Sequence, residues 1–86
     1  MASTIIQMEI GKIYYISFGS NTQIVCRYKK DDGENYLFYA HLHYWNGYET
    51  YRANGHCQKS GITEIREASK SEKYNLFNHE VEHGSV

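Results

Sequence analysis

Short apolar and aromatic runs, separated by polar turn clusters rich in Gly, Asn and Asp, fill most of the first two thirds of the chain, which is the pattern of β-strands. Two strands are predicted at 10–18 and 23–28, joined by the turn cluster Gly19-Ser20-Asn21. A charged turn at 29–35 then leads into a long aromatic strand at 36–45. The pattern therefore predicts an antiparallel meander from the start of the chain.

Two Asn-Gly pairs mark the later turns. Asn46-Gly47 supplies the two positive-φ positions of a type I′ turn, so residues 36–51 are predicted to form a β-hairpin. Asn54-Gly55 predicts a second short hairpin, and residues 62–66 alternate at period two as a last strand. The count comes to about five to six short strands.

The pattern changes after Ala68, where residues 70–83 predict a helix. Ser69 and Glu72 have the spacing of a capping box. Apolar residues follow at helical spacing: Tyr74, Phe77 and Val81. This stripe is expected to cover an open end or face of the sheet. The predicted architecture is mainly β, a small SH3-like antiparallel barrel or bent sheet with one C-terminal helix.

Composition narrows the class of protein. The 86 residues make one domain, 1–86, with strands over about 5–67, and a domain of this size buries only about 60% of its unfolded surface. A net charge of −1 provides no global field for a polyanion, so nucleic-acid binding would need a local patch.

Two cysteines, Cys26 and Cys57, favour free thiols in a reducing cytosol over a single disulfide. No signal peptide or membrane span is evident, which predicts a cytoplasmic protein; Met8 opens a second plausible start, so residues 1–7 carry little weight.

Period two divides the long strand into two faces. One set has the composition of a core: Tyr36, Phe38, Ala40, Leu42 and Tyr44. The other set is more polar: Leu37, Tyr39, His41, His43 and Trp45. A two-residue Asn46-Gly47 loop would pair Trp45 with Tyr48, His43 with Thr50 and His41 with Arg52. If Asn54-Gly55 makes a similar loop, Cys57 pairs with Arg52 and joins them.

The candidate ligand- or partner-binding residues are therefore Tyr39, His41, His43, Trp45, Tyr48 and Arg52. Flat rings beside donors that can carry positive charge suit a nucleotide, a single-stranded base or an acidic peptide. Two other interpretations stay open: the aromatic residues form only a stabilising cross-strand pair with solvated histidines, or the face is an oligomer interface. A register slip of one residue would move all six side chains to the opposite face.

Metal binding and catalysis have weaker support. His41 and His43 share a face and Cys57 could approach them, but a structural zinc site normally has four ligands and no CxxC or HExxH motif occurs. His79 and His83 are i, i+4 on the helix, where a solvated polar face is the better interpretation. Neighbours on a strand, such as His56 and Cys57, point to opposite faces. No metal, no cofactor and no enzymatic activity are expected.

The segment 61–82 carries a motif in which a strand ending in I-R-x-A-[ST] leads into a helix that opens x-E-K. Its residues are Ile65, Arg66, Ala68, Ser69, Glu72, Lys73, Leu76 and Phe77. This segment resembles the end of short uncharacterised proteins encoded by phages and mobile elements of Bacteroides-type bacteria. The resemblance implies a small accessory protein that blocks a host protein or sequesters a defence nucleotide, and it carries no site residues.

The favoured hypothesis is a non-enzymatic binding module whose Tyr/Trp/His-rich hairpin face binds a host protein or sequesters a small anionic ligand such as a nucleotide. The alternative is a nucleic-acid-binding SH3-like or OB-like barrel, which should lose affinity steeply with salt. A small metal or thiol enzyme is the third hypothesis. A homodimer is also expected, since a chain this small and aromatic gains by burying surface against a second copy.

Overall fold

The computed structural model describes residues 5–19 and 21–84, and it is mainly β, as predicted. Six strands are present in this part of the chain: β1 (Ile13–Ser17), β2 (Thr22–Asp31), β3 (Asn35–Trp45), β4 (Tyr48–Ala53), β5 (His56–Gln58) and β6 (Glu64–Glu67). One helix follows, α1 (Lys70–Glu82). Ser20 of the predicted turn at 19–21 lies outside the described residues, and so do residues 1–4 of the segment 1–7.

The strands form one antiparallel sheet in the order β4-β3-β2-β1-β6, and β5 also pairs with β3. No pairing between the end strands β4 and β6 occurs in the described residues, so the sheet is open and not a closed barrel. This confirms the bent-sheet form of the predicted architecture. Within residues 5–19 and 21–84, no helix has the length and apolar character needed to cross a membrane.

The β3–β4 hairpin has the predicted turn and register. Asn46 and Gly47 have φ values of 49° and 83°, which only a type I′ turn requires at both positions. The pairs Trp45–Tyr48, His43–Thr50 and His41–Arg52 all occur. The Asn46-Gly47 turn therefore determines the register of β3 and β4.

The prediction of a second hairpin at Asn54-Gly55 is wrong. β5 pairs with β3 and not with β4, so β4 and β5 lie one after the other along the same edge of β3. Asn54 has a φ of 55° and donates its N–H to the Tyr39 carbonyl at 2.9 Å, while the Phe38 N–H donates to the Gly55 carbonyl at 2.8 Å. Because these bonds keep the chain on β3, the Asn-Gly pair bends the strand instead of reversing it.

A β-bulge changes the face assignment along β3. Arg27 pairs with Ala40, but Tyr28 pairs with Phe38, which leaves Tyr39 as an extra residue in β3. An extra residue moves every later side chain to the other face of the sheet. The single predicted core face is therefore wrong: Phe38 packs on one side of the sheet, whereas Ala40 and Leu42 pack on the other.

The central strands are buried on both faces. The helix face, which α1 covers, has a core of Ile13, Val25, Ala40, Leu42, Ala68 and Leu76. The far face has a second core of Tyr14, Ile16, Ile24, Cys26, Tyr28, Phe38, Cys57 and Ile65. Residues Ile6, Met8 and Ile62 pack against this second core from outside the strands. An 86-residue chain thus uses both sides of one sheet to bury its apolar surface.

The helix starts as predicted. The Ser69 hydroxyl accepts the Glu72 N–H at 3.3 Å, and the Glu72 carboxylate accepts the Ser69 N–H at 2.7 Å, which completes the capping box. Arg66 also holds Glu72 through two bonds of 3.0 and 3.1 Å, so the end of β6 is tied to the first turn of α1.

The predicted apolar stripe of α1 does not pack against the sheet, so this prediction is wrong. Tyr74, Phe77 and Val81 are 69%, 45% and 54% exposed, and the buried residues of the helix are Leu76 and Glu80. Glu80 is only 2% exposed and faces the sheet because the Arg27 guanidinium meets both its carboxylate oxygens at 2.8 Å. This ion pair, together with Leu76, determines which side of the helix is buried.

The end of α1 is held by aromatic stacking. Tyr51 stacks on His79 and His83 with ring centres 5.8 and 4.6 Å apart. The His79 Nε2 atom also lies 3.3 Å from the Glu49 carboxylate. His79 is half-buried, so the expectation of a solvated helix end is wrong for it: these histidines dock the helix on β4.

Candidate functional site

A cleft of about 680 Å³ lies on the far face of the sheet. One side of it is apolar, with Phe18 and Ile24. The other side carries nitrogen-containing side chains from three strands: His41, His43, Arg52 and His56. None of the described residues that line the cleft is acidic. A chain with a net charge of −1 therefore concentrates basic groups at one concave place.

The β3–β4 register and the bulge bring these groups together. His41 and His43 alternate on β3, and Arg52 lies opposite His41 on β4. The bulge at Tyr39 directs the histidines to the same face as Phe38. The bend at Asn54-Gly55 then carries the chain from Arg52 to His56 around the cleft.

Gly55 is required where the chain passes the His41 ring. Its φ is not in the left-handed region, so backbone freedom does not explain this glycine. A Cβ built at Gly55 would overlap the imidazole of His41, with Cε1 and Nδ1 as its nearest atoms. The ring is therefore held between the backbone of residue 55 and the Phe38 ring, whose centre lies 5.5 Å away.

His41 is the most unusual polar group of the cleft. It is only 5% exposed, and its Nδ1 has no hydrogen-bond partner among the described residues. Burial, reinforced by His43, Arg52 and His56, lowers the pKa of His41 to about 4. The imidazole is neutral near pH 7, so it offers one donor and one acceptor nitrogen. A buried polar atom without a partner is costly, but this Nδ1 lies against the backbone of Gly55 with no exposed surface, so it is not open to a ligand in the cleft.

Burial disfavours the thiolate form of both cysteines of the far face. Burial raises the pKa of Cys57 to about 12 and raises that of Cys26 as well. The thiolate is the nucleophilic form, so neither cysteine is activated. Cys57 lines the cleft but pairs with Tyr36, and the predicted pairing with Arg52 is wrong.

The candidate residues divide into three groups. His41, His43 and Arg52 line the cleft. Trp45 and Tyr48 pair across the hairpin next to it, exposed by 55% and 73%, and do not line it. Tyr39 occupies the bulge outside the cleft, where the Lys29 ammonium lies 5.5 Å from its ring centre.

His56 is a cleft residue that sequence reasoning missed. Strict alternation places it on the opposite face from Cys57, yet both residues line the cleft. The Asn54-Gly55 pair was the available signal, but it reads equally well as a hairpin turn. As for metals, no group of three or more His, Cys, Asp or Glu suited to hold an ion occurs within residues 5–19 and 21–84.

Comparisons with protein-family models, with curated proteins and with solved structures find no match to this chain.

The shifted pKa of His41 predicts a pH dependence of stability. Its value of about 4 in the folded protein lies below the ordinary 6.5, so the unfolded chain takes up the proton first. The contribution is complete above about pH 6.5 and is lost as the pH falls toward about 4. We expect His41→Gln to flatten the stability profile in this window, as measured by urea unfolding across a pH series. His43→Gln is the control, and equal profiles for wild type and His41→Gln would contradict the prediction.

Proposed function

We propose that the protein is a non-enzymatic binding module that takes up a small anionic ligand in the cleft. The observation that carries this proposal is the convergence of Arg52, His43 and His56 on one cleft, where none of the described lining residues carries a carboxylate. Clefts of about 300–1,000 Å³ with a few convergent polar groups are typical small-molecule sites. The volume of about 680 Å³ falls within that range.

The electrostatics support an anion over a cation. Arg52 brings a permanent positive charge, and guanidinium groups bind phosphate and carboxylate oxygens through two parallel bonds. The ring nitrogens of His43 and His56 add hydrogen-bonding groups beside Arg52 in the lining. The raised pKa values of both thiols support binding without covalent chemistry.

Arg52→Gln tests this proposal. We expect inorganic sulfate and phosphate to bind the wild type, and we expect the variant to lose at least about tenfold in affinity because a charge-assisted pair is removed. Isothermal titration calorimetry measures both affinities. Lys70→Gln is the matched control, since it removes a positive charge from the exposed start of α1 on the helix face. Equal affinities for Arg52→Gln, Lys70→Gln and wild type would refute the proposal.

A second candidate function is docking of a protein partner at the hairpin end. The exposed pair Trp45 and Tyr48 favours it, because these residue types are enriched at the centres of protein interfaces. Within the context that the resemblance of residues 61–82 implies, a phage or mobile-element accessory protein would use either surface against its host, by blocking a protein or by sequestering a small molecule. Loss of a partner on Trp45→Ala, with anion affinity retained, would separate docking from ligand binding.

A further inference from the structure

The cleft has two chemically different sides, and this difference restricts what the ligand is. Phe18, just after β1, and Ile24 of β2 form the apolar side. Arg52 and His56, on β4 and β5, belong to the basic side. An inorganic anion has nothing to place against the apolar side. A ligand that matches both must combine a charged group with a flat or apolar body.

The size of the cleft leads to the same conclusion. A water molecule takes about 30 Å³ of liquid volume, and a tetrahedral anion is only a few times larger. The cleft, at about 680 Å³, has space for much more than that. The phosphate-sized part of the ligand therefore fills a minor share of the volume, next to Arg52.

The lining also contains neutral polar groups. The Thr22 hydroxyl both donates and accepts hydrogen bonds, and it lines the cleft together with His43. Ribose hydroxyls and the edges of nucleobases carry both donors and acceptors. Thr22 and His43 are therefore suited to the uncharged polar part of such a ligand.

Aromatic residues continue the apolar side to the rim. Thr22, which lines the cleft, pairs with Trp45 on β3, so Trp45 occupies the strand position next to the lining. Trp45 is 55% exposed, which leaves much of its side chain open to a ligand. Base stacking on aromatic side chains tolerates every base, because each base has a π-face.

We infer that the ligand is a mononucleotide, with its phosphate at Arg52 and His56, its sugar or base edge at Thr22 and His43, and its base against Phe18 near Trp45. This inference rests on the proposed function, because it names the ligand class of the same cleft. It assigns the phosphate to the basic side of the cleft and the base to the apolar side, which anion binding alone does not require.

The test compares fragments of the ligand with the whole. We would titrate the wild type with inorganic phosphate, the nucleosides, and the four ribonucleoside 5′-monophosphates, by calorimetry and by the fluorescence of Trp45, the only tryptophan. We expect at least one monophosphate to bind about tenfold or more tightly than either fragment, and to change Trp45 emission where phosphate does not.

Two variants test which side of the cleft binds the base and which binds the phosphate. Phe18→Leu, which keeps an apolar side chain, is expected to lower nucleotide affinity about tenfold and to leave phosphate affinity unchanged. Arg52→Gln should lower both affinities. Circular dichroism of each variant checks that the fold is retained.

The outcomes separate this inference from the proposed function. If phosphate binds and no monophosphate binds more tightly, the inference fails and the anion site stands. If neither phosphate, sulfate nor any nucleotide binds, both fail. A single-stranded oligonucleotide that binds more tightly than every monophosphate, with a steep salt dependence, would overturn the mononucleotide in favour of nucleic acid.

Discussion

Replacing Arg27 with methionine is expected to lower the free energy of unfolding by about 3–5 kcal/mol. The substitution leaves the carboxylate of Glu80 without its partner at a position that is 2% exposed. It also removes the bond of 2.9 Å that Arg27 donates to the Gly11 carbonyl. A buried charge without compensation carries most of this cost. Urea unfolding, with the midpoint and the slope fitted separately, measures the effect.

Two further variants make this result specific. Arg66→Met breaks a similar two-bond pair with Glu72, but these side chains are 38% and 24% exposed, so we expect a loss of only about 1 kcal/mol. The double variant Arg27→Met/Glu80→Leu should recover most of the lost stability, because it removes the unpaired charge as well. Equal losses for Arg27→Met and Arg66→Met, or no recovery in the double variant, would show that Glu80 is not a buried charge in solution.

Leu76→Ala is expected to cost about 2–5 kcal/mol, whereas the neighbouring Phe77→Ala should cost less than about 1 kcal/mol. Leu76 is fully buried between α1 and the sheet, and its removal leaves a cavity. Phe77 is larger but 45% exposed, and alanine is the better helix former. Thermal or urea unfolding of the two variants under the same conditions gives the comparison.

This pair of substitutions tests the orientation of α1. The sequence pattern alone puts Phe77 against the sheet and predicts the opposite order of effects. A larger loss for Phe77→Ala than for Leu76→Ala would therefore restore the predicted stripe and contradict the packing around Glu80. Val81→Ala, also on the exposed side, should behave like Phe77→Ala.

The position of the cleft follows from the same features that sequence reasoning missed. Without the extra residue Tyr39, His41 and Phe38 would lie on opposite faces, and the imidazole could not stand between Phe38 and the backbone of Gly55. Had Asn54-Gly55 reversed the chain, His56 would not have reached the cleft. The candidate site therefore depends on two local irregularities in otherwise regular strands.

Part of the candidate site was nevertheless predictable. The Asn46-Gly47 turn determines the register of β3 and β4, so the pairing of His41 with Arg52 follows from the sequence. The separation of Tyr39 from the other candidates did not follow, because a bulge is decided by hydrogen bonds to two neighbouring strands. The inclusion of His56 depended on β5 remaining on β3, which is likewise a long-range pairing.

The sequence by itself determined the mainly β class, the β3–β4 hairpin with its register, and the capped start of α1 at Ser69, since each depends on residues within a few positions of one another. Only the tertiary structure decided the bulge at Tyr39, the path of β5 and the buried side of α1. These features depend on partners far apart in the sequence, such as Arg27 and Glu80. The helix buries Leu76 and the Arg27–Glu80 ion pair against the sheet, and not the stripe that its apolar spacing predicts.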